Sequence, residues 1–256
     1  MLIDTHAHLY HPDFQADMDA VLQRCLDANV RIILLPNIDE ASVDALHNLA
    51  ARSTDALQLL PMMGLHPCDV KADYETQLAV IRKHLDSGKY YGIGETGLDY
   101  YWDVSLKEEQ KKSLRIQTEW AIEKNLPLII HSRNSTQDCI ELISEYKGRV
   151  NGIFHCFSGS IEEANLIIDL GFLLGIGGTL TYKNSGVQEV IRQIDLAHIV
   201  IETDAPYLSP VPFRGKRNES SYVKQIATFL AEVKSTSFEE IAVVTSSNAK
   251  RIFRLQ

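Results

Sequence analysis

Eight apolar runs of strand length recur along the chain at intervals of roughly 20–37 residues, the spacing of alternating strand and helix units. They lie near Leu2–Thr5, Arg31–Pro36, Leu57–Met63, Tyr91–Gly94, Leu128–His131, Gly152–His155, Phe172–Gly175 and Ile199–Glu202. Near-continuous apolar strands separated by helices imply a parallel sheet buried on both faces. Eight of them suggest a closed (β/α)8 TIM barrel of the α/β class, with an open doubly wound sheet as the alternative. Three intervening stretches carry the Ser-x-x-Glu spacing of a capping box: Ser105 to Glu108, Ser160 to Glu163 and Ser237 to Glu240. The first is expected to open a helix running to about Lys124, and the second a helix that stops before Gly171. No internal repeat, low-complexity segment or composition shift interrupts the series, and Pro206–Pro212 reads as a loop after the last strand. The 256 residues are therefore expected to form one barrel domain, residues 1–256.

Bulk properties narrow the functional class. No apolar stretch approaches the ~20 residues of a membrane helix, and the N-terminus lacks the layout of a secretory signal. Cys25, Cys68, Cys139 and Cys156 are widely spaced with no CxxC pair, so a reduced, cytoplasmic setting is expected. A formal net charge of −9 argues against sequence-independent coating of nucleic acid, although a local basic groove stays compatible with it.

The ends of the apolar runs carry the chemistry. His6 and His8 stand two residues apart, which on an extended strand points both rings to one side. His66, Glu95, His131 and His155 end further runs, and Glu202 and Asp204 follow the last one. A barrel places its site at these carboxyl ends. A lone histidine there is usually a hydrogen-bonded structural residue, a description that suits His11, His47, His84 and His198. Several imidazoles and carboxylates on successive strands suit two metal ions ~3.5–4 Å apart better than one. His6, His8 and Asp204 would hold one ion, His131 and His155 the other. Glu95 would bridge both, because a carboxylate offers two oxygens. Glu202 lies on the face of Asp204 and either orients a ligand from behind or is structural.

The runs Leu2–His8, Gly64–Pro67, Gly92–Tyr100, Pro127–Arg133, His155–Gly159, Glu202–Pro206 and Arg214–Glu219 resemble the TatD family of metal-dependent deoxyribonucleases, within the amidohydrolase-like barrels. The resemblance covers nearly the whole chain in family order. It implies His6, His8, Glu95 and Asp204 at one ion and Glu95, His131 and His155 at the other. Glu95 stands where related amidohydrolases often bridge their metals with a modified lysine. The chain departs from the family pattern at Tyr10, His11, Cys68, Ser135 and Ser220, none of them a proposed ligand.

A phosphodiesterase needs activated water and relief of charge on the leaving oxygen, which two divalent ions supply. Asp204 is the candidate general base. Arg133, two residues beyond His131, can fork onto phosphate oxygens, with a surface ion pair as the plain alternative. Arg214, Lys216 and Arg217 form a compact basic run after the last strand, expected at the same mouth, and His66 is either a substrate contact or structural. Tyr100, Tyr101 and Trp102 follow the fourth run and either stack on a base or pack the loop. The resemblance implies a nuclease trimming single-stranded DNA or RNA ends as a 3′–5′ exonuclease; no membrane and no obligate protein partner are expected. A hydrolase of a small ester, amide or phosphodiester and a non-catalytic metal-stabilised protein are the competing classes. Imidazole and carboxylate ligands admit zinc, manganese or magnesium.

Overall fold

In the computed structural model, which describes residues 1–256, the apolar runs form eight parallel strands. They are β1 (Leu2–Asp4), β2 (Val30–Leu35), β3 (Gln58–Pro61), β4 (Ile93–Asp99), β5 (Leu128–Arg133), β6 (Gly152–Phe154), β7 (Phe172–Ile176) and β8 (Ile199–Ile201). Strands β1 to β3 pair in order, as do β4 to β8. Backbone hydrogen bonds close the two seams. Tyr91 donates to Pro61 at 3.0 Å and Met63 to Gly92 at 3.1 Å between β3 and β4. Thr5 donates to Ile201 at 3.2 Å and His8 to Ala205 at 2.7 Å between β8 and β1. The result is the closed barrel expected, and the doubly wound alternative is set aside.

Helices α1 (Met18–Asp27), α2 (Val43–Ala50), α3 (Tyr74–Ser87), α4 (Lys107–Lys124), α5 (Thr136–Ser144), α6 (Ile161–Asp169), α7 (Val187–Gln193) and α8 (Val223–Lys234) follow the strands in turn. A further helix, α9 (Phe238–Phe253), ends the chain. Period-two alternation divides the strand side chains between two cores. Ile3, Leu34, Met62, Ile129, Ile153 and Val200 point inward, and Ile252 and Phe253 of α9 pack against that inner layer. The opposite faces pack against the helical ring in a larger cluster that includes Ile33, Ile130, Phe154 and Leu174. Burial on both faces is why these strands read as unbroken apolar runs. No helix is long and apolar enough to cross a membrane.

The three capping sequences behave differently. Ser160 and Glu163 form the full reciprocal box, with Ser160 Oγ accepting the Glu163 N–H at 3.2 Å. Ser237 accepts the Glu240 N–H at 3.1 Å, but the Glu240 carboxylate takes the Thr236 hydroxyl instead of closing the box. Ser105 makes no cap. Its hydroxyl and its N–H both donate to the Asp103 carboxylate, at 2.9 and 2.8 Å, and α4 starts at Lys107. The Asp103 carboxylate holds Ser105 in a turn ahead of the helix, and the N-cap position falls to Leu106.

Candidate metal centre

His6, His8, Glu95, His131, His155 and Asp204 meet at the carboxyl ends of the strands around the Glu95 carboxylate. Glu95 Oε2 lies 3.1 Å from His6 Nε2 and 3.2 Å from His8 Nε2. Its other oxygen, Oε1, lies 3.0 Å from His131 Nδ1 and 2.8 Å from His155 Nε2. Asp204 Oδ1 approaches the first pair at 3.7 and 3.6 Å. His66 joins the second group, with Nε2 3.3 Å from Glu95 Oε1.

The supports behind these side chains fix which ring nitrogen faces the centre. The Tyr10 hydroxyl donates to the Pro36 carbonyl at 2.6 Å, so its remaining capacity toward His8 Nδ1, 2.9 Å away, is as acceptor. In the neutral ring, His8 therefore carries its proton on Nδ1 and presents a lone pair from Nε2. Asp99 Oδ2 takes His131 Nε2 at 2.9 Å, which leaves Nδ1 of that ring facing inward. The His6 and His155 rings stack at 3.9 Å, and their Nδ1 atoms are buried without a hydrogen-bond partner beside Glu202. Glu202 is fully enclosed, accepts the Cys156 backbone N–H and keeps Oε2 unpaired. Gly175 makes its room: a Cβ there would sit 2.4 Å from Glu202 Oε2. Below the cluster, Asp4 ties β1 to the end of β8 by accepting the Thr203 N–H at 2.9 Å and its hydroxyl at 2.6 Å. Burial pushes the Asp4 carboxyl up to about 7.

The donor set fits divalent cations. His6 and His8 bring Nε2 atoms within 3.2 Å of each other, and His131 Nδ1 and His155 Nε2 come equally close. With the outer nitrogens of His8 and His131 committed to Tyr10 and Asp99, the inward lone pairs of those rings face the Glu95 carboxylate, an arrangement that positive charge relieves. Burial disfavours charge on Glu95, but His155, His66 and His6 outweigh it and hold the carboxyl well below its ordinary range. Burial also opposes the charged form of His8, yet Asp204 and Glu95 raise that ring to about 10. Burial wins at His6, which is lowered, with His155 adding to the effect. Borderline ions that accept imidazole and carboxylate, such as zinc or manganese, match these donors.

The centre floors a cleft of about 620 Å³ whose lining includes His66, Trp102, Arg133, Tyr207 and Leu208. Arg133 is thus where the sequence places it. The basic run after β8 is not. Arg217 makes two 2.8 Å bonds to the Asp17 carboxylate and a third to the Asp13 carbonyl, pinning the loop to α1. Arg214 lies over the Tyr182 ring at 4.4 Å and lines a separate cleft with Lys183 and Gln188. Lys216 is exposed and outside the lining of the metal cleft. The expectation of one basic patch at the mouth fails because a carboxylate about 200 positions away in sequence captures Arg217. Sequence reasoning also passed over Asp99 and Tyr10. Both continue the two-residue alternation of Glu95 and of His6 and His8, the signal that would have found them.

Comparison with known proteins agrees with this geometry. The family profile described as TatD related DNase matches residues 3–254. YabD of Bacillus subtilis (strain 168), an uncharacterized metal-dependent hydrolase, is 41% identical over 261 residues, covering 100% of both chains. A mouse protein named as a candidate deoxyribonuclease, TATDN3, is 31% identical over 98% of this chain and 88% of its own length. The crystal structure of YjjV, a TatD homolog from Escherichia coli K12, superposes with a TM-score of 0.92 at 30% identity, covering 100% of this chain and 98% of that one. The chain therefore belongs to the TatD family of metal-dependent hydrolases.

Proposed function

We propose that the protein is a nuclease that hydrolyses phosphodiester bonds at nucleic-acid ends, as a 3′–5′ exonuclease on single strands, with His6, His8, Glu95, His131, His155 and Asp204 holding two divalent ions. The observation that carries this reading is the division of Glu95, one oxygen facing His6 and His8 and the other facing His131 and His155. Magnesium, manganese or zinc bound there would acidify water and neutralise charge on the phosphoryl oxygens.

The protein's own groups do the rest. Asp204 is the least enclosed carboxylate of the cluster, with its side chain 13% exposed against 3% for Glu95. Burial pushes its pKa up, but His8, His155 and His6 bring it below the ordinary value, so it is ionised when water must be deprotonated. Asp204 accepts the proton of the attacking water and returns it to the departing alkoxide. Tyr10 and Asp99 hold His8 and His131 in the tautomers that face the centre, and Glu202 backs His6 and His155. Arg133 meets the phosphate from the cleft wall. With a net charge of −9, the acidic remainder of the chain keeps bulk nucleic acid away from all but this mouth.

Removal of Arg214, Lys216 and Arg217 from the mouth favours a second reading, a hydrolase of a small ester or amide that need not hold a polyanion. Single-stranded oligonucleotides labelled at the 5′ end, assayed beside a panel of esters and amides, separate the two. A ladder shortening from the 3′ end supports the nuclease. Turnover of esters or amides with intact oligonucleotides would establish the second reading instead.

A further inference from the structure

The segment after β4 exposes apolar surface beside a buried polar site. Tyr101 is 53% exposed, Trp102 73% and Val104 60%, whereas Asp99 just before them is 2% exposed. Contiguous exposed apolar side chains rimmed by polar groups mark interaction sites. Their placement is not casual. The Tyr101 N–H donates to Asp99 Oδ1 at 2.9 Å, while Asp99 Oδ2 holds His131 at 2.9 Å. One carboxylate thus ties the aromatic pair to the candidate metal centre.

Arg133 completes the arrangement. Its guanidinium lies 3.6 Å over the Tyr101 ring and 5.4 Å from the Trp102 ring, and the two rings meet edge to face at 4.8 Å. A guanidinium stacked by its face keeps its N–H donors in the plane, free to fork onto phosphate oxygens. Both Trp102 and Arg133 line the cleft that holds His131 and His155. A π-surface beside a phosphate-binding guanidinium matches the two ends of one nucleotide, its base and its phosphate.

We propose that Trp102, backed by Tyr101 and Arg133, is a stacking platform for the nucleobase next to the scissile phosphate; this rests on the nuclease reading above. Stacking on an indole is tolerant of sequence, because every base has a π-face, so the platform grips single strands with splayed bases without reading their order. Paired bases already stack on their neighbours, and the platform disfavours duplex ends accordingly.

A two-by-two comparison tests the platform. The kcat/KM of the wild type and of Trp102→Ala is measured on single-stranded oligonucleotides that carry either a natural base or an abasic residue at each of the last two positions. Loss of the base at one position should slow the wild type by about tenfold, the scale of one base–aromatic stack. Trp102→Ala should lose a similar factor on the natural strand and nothing further on the abasic one, while Trp102→Phe retains most of the discrimination. Fluorescence gives a readout independent of turnover. The only other tryptophan, Trp120, is 8% exposed, so an oligonucleotide should quench the Trp102 contribution and an abasic backbone of equal length should not. A wild type indifferent to the base, or a Trp102→Ala variant with wild-type discrimination, would overturn the platform and leave the nuclease standing. A wild type that cuts no oligonucleotide would overturn both.

Discussion

Asp204→Asn keeps the size of the side chain and one ligating oxygen but removes the charge that accepts a proton. With the fold intact, kcat should fall by at least ~10², the usual scale for loss of a general base. Near-normal turnover in metal-replete buffer would exclude Asp204 from that role. Asp99→Asn tests the support behind His131 by offering an amide where the ring needs an acceptor. Metal affinity should drop by roughly 10- to 100-fold, as for other outer partners of ligating histidines. Unchanged affinity on titration would show that the His131 tautomer is set elsewhere. At this scale the sequence was legible where one residue type has one use. Five of the residues expected to meet, His6, His8, His131, His155 and Glu95, lie in β4 and β5 or just beyond β1 and β6, and they converge as the strand pattern implies. Arg217 was not legible, because its fate depends on Asp17, a partner that only the folded chain brings near.

Between elements, small local choices hold the site in place. Gly175 in β7 faces Glu202, and Gly175→Ala would drive a methyl group to 2.4 Å from Glu202 Oε2. The barrel should still fold, since β7 keeps its pairing, but the displaced carboxylate should cost metal affinity and activity together. A Gly175→Ala variant with full affinity and a normal melting temperature would mean Glu202 only fills space. Helix α5 is held differently. Asp138 is bound by Lys111 at 2.9 Å and by the Tyr100 hydroxyl at 3.0 Å. The Lys111 contact lowers its carboxyl most, against burial, and with Tyr100 and Lys107 brings it to about 2. A depressed carboxylate stabilises the fold fully above its unfolded pKa of ~3.9 and loses that contribution as pH falls toward the folded value. Asp138→Asn should therefore lower the melting temperature at neutral pH and flatten its fall between about pH 4 and pH 2. An acid limb parallel to the wild type would contradict the assignment. The strands and the Ser160 cap were readable because burial on both faces and a reciprocal box leave marks in local sequence. Ser105 misled because its bonds to Asp103 hold it in the turn before the helix, whose N-cap is Leu106.

Across the whole molecule, the barrel brings groups from β1, β4, β5, β6 and β8 to one carboxylate. The closed topology was readable from eight evenly spaced apolar runs. The seams were not, because the hydrogen bonds that close them lie beyond the regular strands, at Met63 and at Ala205. If Glu95 is the anion shared by two cations, removing it should leave the protein unable to keep both, because their mutual repulsion is then less screened. The measurement is the metal content of purified protein at matched metal concentration, with circular dichroism to confirm folding. Two ions per chain are predicted for the wild type, and fewer than two for Glu95→Ala and for Glu95→Gln, which preserves shape without charge. Two ions fully retained in either folded variant would contradict the bridging role of Glu95.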